Sequence, residues 1–404
     1  MRITFLLSQD VESPSGRGRY LPWGIELARR GFRVRIIALH SNFAGVDHKR
    51  QWREGVEIIY VGQMHVRKVG SAKLYFPTWR LVPIIVWSTL MLIRAALTDQ
   101  ADLYHVGKPH PMNGLAGLLA SWVRRRPLLV DCDDNEVASN RIEHGWQRWG
   151  LRLFEENLPR LAKRVTTNTT YTIERLGSLG VPRQNLMLLP NAIDAKRLTS
   201  RDPASIDALR TQLGLTPEEK VVLYVGSLSL ASHPLDLLLE AFALVHTAGI
   251  PMRLVIVGGG EDLETLRRHS RELGIEKHTT FVGRVDYERV TDYYGLADVS
   301  VDPVRDDAAG RGRDPLKILE SLAAGTPVVT AHIGERESLR MLGRQWIRLV
   351  APGDAKALAE AVRDMLSGPP LTASDREQMW RDLPRWDVLA NNVIALYQTV
   401  GRNA

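Results

Sequence analysis

The feature that most constrains the fold is a repeated alternation of short apolar runs with segments of helical pattern. The chain opens on RITFLLS, passes through a glycine-containing turn and an amphipathic segment, and returns to an apolar run, VRIIAL, at residues 34–39. Apolar runs bounded by turn residues indicate buried strands, and strands that alternate with helices indicate βα units. We therefore predict a parallel sheet with helices on both faces.

A second series of the same units begins at VVLYVGS, residues 221–227, and continues to PVVTA, residues 327–331. Two such series predict an α/β protein with two Rossmann-like, doubly wound parallel-sheet domains that face a cleft. We place the first domain at residues 1–188 and the second at residues 189–385. Ligands of these sheets bind beyond the carboxyl ends of the strands, so we expect two substrates to meet in the cleft.

The charge of the chain is unevenly distributed. The net charge is +7, and residues 1–185 carry 27 Lys and Arg against 16 Asp and Glu, whereas the remainder carries 26 against 30. This asymmetry favours an anionic partner for the first half: phospholipid, nucleic acid or an acidic substrate. The sequence has no helix-turn-helix, zinc-finger or RNP signature, so we expect no nucleic-acid partner. The single cysteine, Cys132, and an N-terminus unlike a signal peptide predict a cytoplasmic protein.

The most apolar segment is LVPIIVWSTLMLI, residues 81–93. It is shorter than the roughly 20 residues of a membrane-spanning helix and contains Pro83, so we predict that it does not span a membrane. Basic and aromatic residues precede it, including Trp79 and Arg80, as is typical of a helix that lies in a membrane interface. A buried core helix fits the same pattern. The positive first half favours peripheral attachment to the inner face of an anionic plasma membrane.

Five segments of the second half occur in one order: LLPNAID (188–194), VVLYVGSL followed by LLLEAF, LVIVGGGED (254–262), FVGRVDYERVTDYYGLADVSVDP (281–303) and PLKILESLAAGTPVV (315–329). Together they resemble the retaining GT-4 family of glycosyltransferases, which have the GT-B fold. Gly16 and Gly18 resemble the family's N-terminal glycine loop. The helix at residues 386–404 resembles the family's C-terminal helix, which returns to pack on the first domain.

The resemblance implies that the second domain binds a nucleotide-diphosphate sugar and the first domain a glycan or lipid-linked acceptor. Glu320 matches the glutamate that binds the nucleotide's ribose. The resemblance and the strand ends together give these donor-binding candidates: Gly16, Gly226, Ser227, His233, Gly258, Arg284, Val285, Arg311, Arg313, Leu316, Lys317 and Glu320. The acceptor-binding candidates are Gly18, Lys108, Asp131 and Asp134. The family is generally metal-independent, so we expect no metal and no other cofactor.

The chain departs from the family at the donor site. Relatives have an arginine and a later lysine for the diphosphate, whereas this chain has Ser227 and His233. Gly312 stands where relatives have a further glutamate near the donor sugar, eight positions before Glu320. Asp306, Asp307 or Asp314 could replace that carboxylate. The basic residues that could replace the phosphate ligands are Arg284, Arg305, Arg311, Arg313 and Lys317.

A third departure lies in the first domain, after the apolar run PLLV. Relatives have a histidine near the reacting sugar there, whereas this chain has four acidic residues within six positions: Asp131, Asp133, Asp134 and Glu136. Repulsion among them favours a bound cation, an amine-bearing acceptor, arginine partners or a raised pKa, and helix capping is a plainer alternative. We take Asp133 as a catalytic candidate, together with Glu320 and with His105, which matches a histidine common in the family.

We therefore predict a retaining hexosyltransferase that acts in cell-envelope or exopolysaccharide synthesis. Two alternatives remain open. The lost glutamate and phosphate ligands also fit a GT-B scaffold that no longer catalyses transfer, and the same architecture serves GT-B sugar-nucleotide epimerases.

Overall fold

The computed structural model describes residues 1–69, 72–139, 142, 144–194, 203–247, 249–342, 345–369 and 371–402. The described part of the first half contains these strands: β1 Arg2–Leu7, β2 Arg33–His40, β3 Arg50–Arg53, β4 Val56–Gln63, β5 Val66–Val69, β6 Ala72–Tyr75, β7 Leu103–Gly107, β8 Leu128–Cys132, β9 Arg164–Thr167 and β10 Leu186–Leu188. Its α-helices are α1 Leu21–Arg29, α2 Thr78–Thr98, α3 Pro111–Arg124, α4 Glu136–Ser139, α5 Gly145–Leu161 and α6 Thr170–Ser178.

Eight of these strands form the first sheet, in the order β10-β9-β8-β7-β1-β2-β4-β3. Neighbouring strands are parallel except at the edge, where β3 runs antiparallel to β4. Strands β1, β7 and β8 are buried along nearly their whole length because helices cover both faces of the sheet. Strands β5 and β6 form a separate antiparallel hairpin.

The second half repeats the architecture with strands β11 Lys220–Val225, β12 Met252–Val257, β13 Thr279–Gly283, β14 Val299–Asp302, β15 Val328–Ala331 and β16 Ile347–Val350. They form a parallel sheet in the order β13-β12-β11-β14-β15-β16. The described α-helices of this half are α7 Pro203–Gln212, α8 Leu235–His246, α9 Leu263–Glu272, α10 Val290–Leu296, α11 Ala308–Arg311, α12 Leu316–Ala323, α13 Ala355–Ser367, α14 Ala373–Asp382 and α15 Trp386–Arg402. The predicted fold class, two Rossmann-like α/β domains, is confirmed.

Each sheet has a hydrophobic core on both faces. One face of the first sheet packs against α1 and α15, and the other against α2, α3 and α5. The last helix thus contributes Trp386 and Tyr397 to the core of the first half, although it follows the second half in sequence. Its described residues end at 402, and the last two positions of the segment 386–404 lie outside the described residues.

Helix α2 is longer than the sequence analysis predicted. It spans 21 residues, contains Pro83, and is long and apolar enough by length and composition to cross a membrane. Leu81, Ser88 and Leu92 face the sheet, and Ser88 Oγ donates to the carbonyl of Gln63 at 2.8 Å. Only 22% of the most apolar 18-residue stretch of this helix is buried within the protein. The helix therefore lies along the first domain with most of its apolar surface uncovered.

Candidate functional site

Segments beyond the carboxyl ends of the two sheets meet in direct contacts. A Cβ atom on Gly18, in the helical turn Gly16–Tyr20, would lie 2.2 Å from Cδ2 of Leu316, so a side chain at residue 18 would require the end of the Leu316 side chain to move. The backbone N–H of Asn191 donates to the Asp314 carboxylate at 2.7 Å, and the side-chain amide of Asn191 donates to the backbone carbonyl of Asp314 at 2.6 Å. These contacts place the acceptor candidate Gly18 beside the donor candidate Leu316.

Asp131 lies beneath this junction. Its carboxylate is fully buried and accepts two hydrogen bonds from Arg19, both at 2.7 Å, and others from Tyr20 and Thr166. Arg19 also donates to the Leu189 carbonyl at 3.1 Å, which joins the glycine turn to the segment between the domains. Asp131 therefore positions the turn that begins at Gly16, and its expected contact with the acceptor stays a prediction.

His105 is also buried, in the core of the first domain. Its ring stacks on Phe5 with centroids 5.3 Å apart, and its Nδ1 is hydrogen-bonded to Tyr397 Oη at 2.8 Å. Burial lowers the pKa of the imidazole to about 4, so the ring is neutral at pH 7. This environment favours a structural role, in place of the catalytic role that we expected.

The remaining acidic residues of the cluster surround Lys108. Its Nζ lies 2.9 Å from Asp134, 2.6 Å from Glu136 and 3.4 Å from Asp133. His110 contacts the second oxygen of Glu136 at 2.9 Å. The three carboxylates are close enough to one another to hold a metal ion, and the ammonium of Lys108 supplies positive charge at that place.

Two carboxylates of the cluster, Asp133 and Glu136, have pKa values shifted in opposite directions. Burial raises the pKa of Asp133 to about 7, since Lys108 only partly offsets the loss of solvent and the repulsion from Asp134. Burial acts in the same direction on Glu136, but Lys108 and His110 outweigh it and lower the pKa of that carboxyl. Asp133 can therefore hold or release a proton near neutral pH.

Glu320 occupies the corresponding edge of the second domain. Its side chain, 6% exposed, accepts hydrogen bonds from Tyr287 Oη at 2.9 Å and from Tyr294 Oη at 3.5 Å. Helix α12 presents it from the second turn, one turn after Leu316, which contacts Gly18. Two carboxylate oxygens fixed by aromatic hydroxyl groups form a rigid acceptor pair for substrate hydroxyls.

Two glycines bring neighbouring loops together at this edge. A Cβ atom on Gly258 would lie 1.8 Å from the carbonyl oxygen of Gly226, so no side chain fits there. The backbone N–H of Gly226 donates to the carbonyl of Val257 at 3.0 Å, and the hydroxyl group of Tyr224 donates to the carbonyl of Ser227 at 3.0 Å. The close packing of these loops leaves backbone groups at the strand ends, where anions bind in this fold.

The predicted basic residues separate into different places. Arg313 contacts His233, and Lys317 lies beside Gly226. Arg311 is exposed and forms an ion pair with Asp306 at 2.6 Å. Arg284 is exposed after β13, and Val285 packs against the core of the second domain.

Two charged residues of this site escaped the sequence analysis. Asp302, at the end of β14, is 2% exposed and forms ion pairs with Lys317 and with Arg336, whose side chain is fully buried. The position of Asp302 at a strand's carboxyl end was a signal that could have identified it. Arg336 lies outside every motif and carried no such signal.

A second feature of the first domain is an exposed apolar face on α2, α3 and α5, which pack side by side. Four tryptophans on these helices are between 61% and 79% exposed: Trp79, Trp87, Trp122 and Trp149. Other exposed apolar residues on the three helices are Val82, Val86, Leu90, Leu115, Val123, Trp146 and Leu153. Exposed basic residues lie among and beside them: Arg80, Arg94, Arg124, Arg125, Arg126, Arg148, Arg152 and Lys163. We refer to these residues together as the aromatic face.

Two family profiles match the chain in succession. The glycosyl transferase 4-like domain matches residues 23–192, and glycosyl transferases group 1 matches residues 219–368. The first match contains the Lys108 cluster, and the second contains Glu320 and the glycine loops. Together the matches include both sides of the cleft.

Similar proteins are known at the levels of sequence and structure. A GDP-mannose-dependent alpha-(1-6)-phosphatidylinositol monomannoside mannosyltransferase of Mycobacterium tuberculosis is 33% identical over 236 residues, which cover 56% of this chain and 59% of that protein. A D-inositol 3-phosphate glycosyltransferase of Rhodococcus erythropolis is 32% identical over 188 residues, 45% of this chain and 40% of that protein. The match thus spans less than two thirds of these relatives.

The solved structure of sucrose-phosphate synthase from Thermosynechococcus elongatus superposes on the whole chain with a TM-score of 0.76, at 20% identity and with all of both chains covered. This likeness establishes the common fold. With the two family profiles, it agrees with the motif order and the paired sheets described above. The chain belongs to the GT-4 family of GT-B glycosyltransferases.

Proposed function

We propose that this chain is a retaining glycosyltransferase that uses a nucleotide-diphosphate sugar as donor. The observation that carries the proposal is Glu320, whose buried carboxylate is held by Tyr287 and Tyr294 at the edge of the second sheet. A carboxylate fixed in this way can accept hydrogen bonds from both hydroxyl groups of a ribose. The family to which the chain belongs supports the same role for this residue.

In the proposed reaction, the bond between the anomeric carbon and the donor's phosphate oxygen breaks. A bond to the acceptor oxygen forms on the same face of the sugar, and the acceptor proton passes to the leaving phosphate. Negative charge grows on that phosphate during the step, so cations held rigidly in the cleft lower the barrier. The protein therefore needs to orient both substrates and stabilise the leaving group.

The Lys108 cluster is the proposed acceptor side of the cleft. Oδ1 of Asp133 makes no hydrogen bond within the described part of the chain, and it lies 3.4 Å from Lys108 Nζ. A hydroxyl-rich acceptor can donate to this oxygen. Asp134, which is partly exposed, offers a further polar contact. Because Lys108 supplies positive charge to all three carboxylates, we propose that transfer requires no divalent metal.

We also propose that the acceptor is lipid-linked and that the protein works in the cytoplasm, at the inner face of the plasma membrane. The aromatic face supports this part of the proposal, since exposed tryptophans with flanking arginines are typical of surfaces that insert into an anionic membrane interface. The relative from M. tuberculosis is named for a phosphatidylinositol mannoside, which is a lipid acceptor. A product of this kind would enter the cell envelope or an exported glycan.

The first test is calorimetric titration with UDP, GDP, ADP and their sugar conjugates, with and without EDTA. We expect saturable binding of one nucleotide series that EDTA does not change. Glu320→Ala should weaken that binding about 10- to 100-fold, the expected cost of losing one or two hydrogen bonds to a charged group. The control is Glu360→Ala, which removes an exposed glutamate from α13.

Different outcomes separate the alternatives. Absence of binding across the whole panel would favour a scaffold that no longer catalyses transfer. Conversion of the bound donor without any acceptor would identify an epimerase. Transfer to vesicles that contain phosphatidylinositol mannosides, with the α-anomeric configuration of the donor preserved, would support the proposal. Transfer only to water-soluble D-inositol 3-phosphate would contradict the lipid-linked acceptor.

A further inference from the structure

The donor site lacks the two cations that the family resemblance places at residues 227 and 233, where this chain has serine and histidine. In the structure, two other cations reach this place. Arg313 precedes α12 and Lys317 is the second residue of that helix, and both side chains contact the loop after β11. Their positions suggest how the site can still bind a diphosphate.

Lys317 supplies positive charge near residue 227, where this chain has a serine. A Cβ atom on the neighbouring Gly226 would lie 3.0 Å from Lys317 Nζ, so the ammonium is in contact with the glycine loop. The same nitrogen is 4.5 Å from the centre of the Tyr224 ring and 3.3 Å from Tyr224 Oη. The side chain is therefore held over the end of β11.

Arg313 supplies positive charge near residue 233, where this chain has a histidine. Its Nη1 donates to the Ser232 carbonyl at 2.8 Å and lies 3.2 Å from His233 Nδ1. These contacts use one edge of the guanidinium. The other nitrogens have no hydrogen bond or ion pair with the described residues, which leaves a planar donor edge of the kind that binds phosphate in a bidentate manner.

A buried network supports both cations, because Asp302 pairs directly with Lys317 and its second partner, Arg336, contacts the backbone of Arg313. Asp302 lies 3.3 Å from Lys317 Nζ and 2.9 Å from Arg336 Nε. Arg336 in turn donates to the carbonyls of Gly310 and Arg313 at 3.0 and 3.3 Å. The four side chains carry three positive charges and one negative charge, and the excess favours an anion at the loop surface.

We propose that Arg313 and Lys317 bind the donor's diphosphate in place of the missing pair, and that Asp302 and Arg336 position them. This inference rests on the proposed function, because it assigns the phosphate ligands of the same donor site. It adds a relocation of the phosphate ligands: the cations are carried by residues 313 and 317 and not by the loop after β11.

The charge of Lys317 gives this site a pH dependence. Burial lowers the pKa of Lys317 to about 8, with Arg313 and Arg336 acting in the same direction and Asp302 opposing them. Tyr224 is the other titratable group in contact with the ammonium, and burial raises its pKa well above 10. A bound diphosphate favours the charged lysine, so diphosphate affinity should fall as the pH rises from 7 to 9. Lys317→Met should remove that fall.

The test compares UDP, GDP and ADP with uridine, guanosine and adenosine on the full chain. Arg313→Ala and Lys317→Met should each weaken binding of the preferred diphosphate about 10- to 100-fold and leave binding of its nucleoside unchanged. Arg271→Ala, which removes an exposed arginine from α9, is the matched control. Adding Ser227→Arg and His233→Lys to the double variant, Arg313→Ala with Lys317→Met, should restore diphosphate affinity.

The outcomes distinguish this inference from the proposed function. Equal losses for diphosphate and nucleoside would overturn the assignment of phosphate ligands and leave the donor site in place, as would unchanged diphosphate affinity. If the unmodified chain binds none of the six compounds, both the inference and the proposed function are overturned. Thermal melting of each variant separates a folding defect from a lost ligand, and the restoring variant provides an independent readout.

Discussion

The first-domain cluster shows how individual residues resolve a pattern that sequence leaves ambiguous. Four acidic residues near a strand end allowed a bound cation, an amine-bearing acceptor, arginine partners or a raised pKa. The structure brings in Lys108 as the cation of three carboxylates, gives Asp131 an arginine partner and raises the pKa of Asp133. Lys108 has a φ of 61°, in the left-handed region, and no local pattern predicts that such a backbone directs an ammonium into the cluster.

His105 provides a residue-scale prediction. We expect His105→Phe to lower stability by about 1–3 kcal/mol, because the hydrogen bond to Tyr397 is lost in a packed core. The turnover number should change little, since the ring is buried away from the cleft. Chemical denaturation and steady-state kinetics measure the two effects.

The same residue makes stability depend on pH. The folded pKa of about 4 lies below the unfolded value, so the unfolded chain binds more protons between these values. The stability that the neutral ring contributes is present above about pH 6.5 and is lost as the pH falls towards 4. His105→Phe should flatten this part of the pH profile, and Tyr397→Phe is the matched control that keeps the imidazole. A large loss of turnover at unchanged stability would restore His105 as a catalytic residue.

At the scale of elements, the sequence predicted strands better than it predicted helix α2. Parallel strands such as β1 and β8 are continuous apolar runs because both faces are covered, and this composition is visible without a structure. The edge strand β3, RQWR, is not an apolar run, because it pairs with only one strand and its faces remain largely exposed. In α2, the apolar run ends at Arg94 and begins only at Leu81, so it is shorter than the helix, which spans Thr78–Thr98.

The aromatic face provides a prediction at this scale. Trp87→Glu, on the exposed side of α2, should reduce binding to vesicles of phosphatidylglycerol and phosphatidylcholine at least tenfold, because a charge replaces a large apolar group in the interface. Replacing Arg124, Arg125 and Arg126 with glutamine should reduce the preference for anionic vesicles, at about 1 kcal/mol per lost charge. Vesicle co-sedimentation measures both effects.

Trp52→Glu is the matched control, since Trp52 is exposed to a similar degree but lies on the edge strand β3. Its vesicle binding should equal that of the unmodified chain. Nucleotide affinity should be unchanged in all these variants because the aromatic face is separate from Glu320. If Trp87→Glu and Trp52→Glu bind vesicles equally well, the aromatic face is not the membrane-binding surface.

At the scale of the whole molecule, the sequence predicted two domains and a cleft but not the contacts that join them. Arg17 pairs with Glu288, and Thr170 Oγ1 donates to Glu335 at 2.7 Å. Such pairs join positions far apart in sequence, so no local pattern reveals them. Individual exposed ion pairs contribute little stability. Gly18 and Leu316 approach so closely that a side chain at residue 18 would have to displace the end of the Leu316 side chain.

That constraint gives the last prediction. Gly18→Leu should hold the domains apart, because the added side chain would occupy the space of the Leu316 side chain. We expect turnover to fall about 100-fold while nucleotide affinity changes much less, since a displacement of about 1 Å between reacting groups has a cost of this size. The double variant Gly18→Leu with Leu316→Ala shortens the side chain that the new leucine would meet, so it should recover part of the lost turnover. Small-angle scattering should show a larger radius of gyration for the single variant than for the double variant. Equal radii, or a nucleotide affinity that falls as far as turnover, would indicate that Gly18 acts through local structure and not through closure of the cleft.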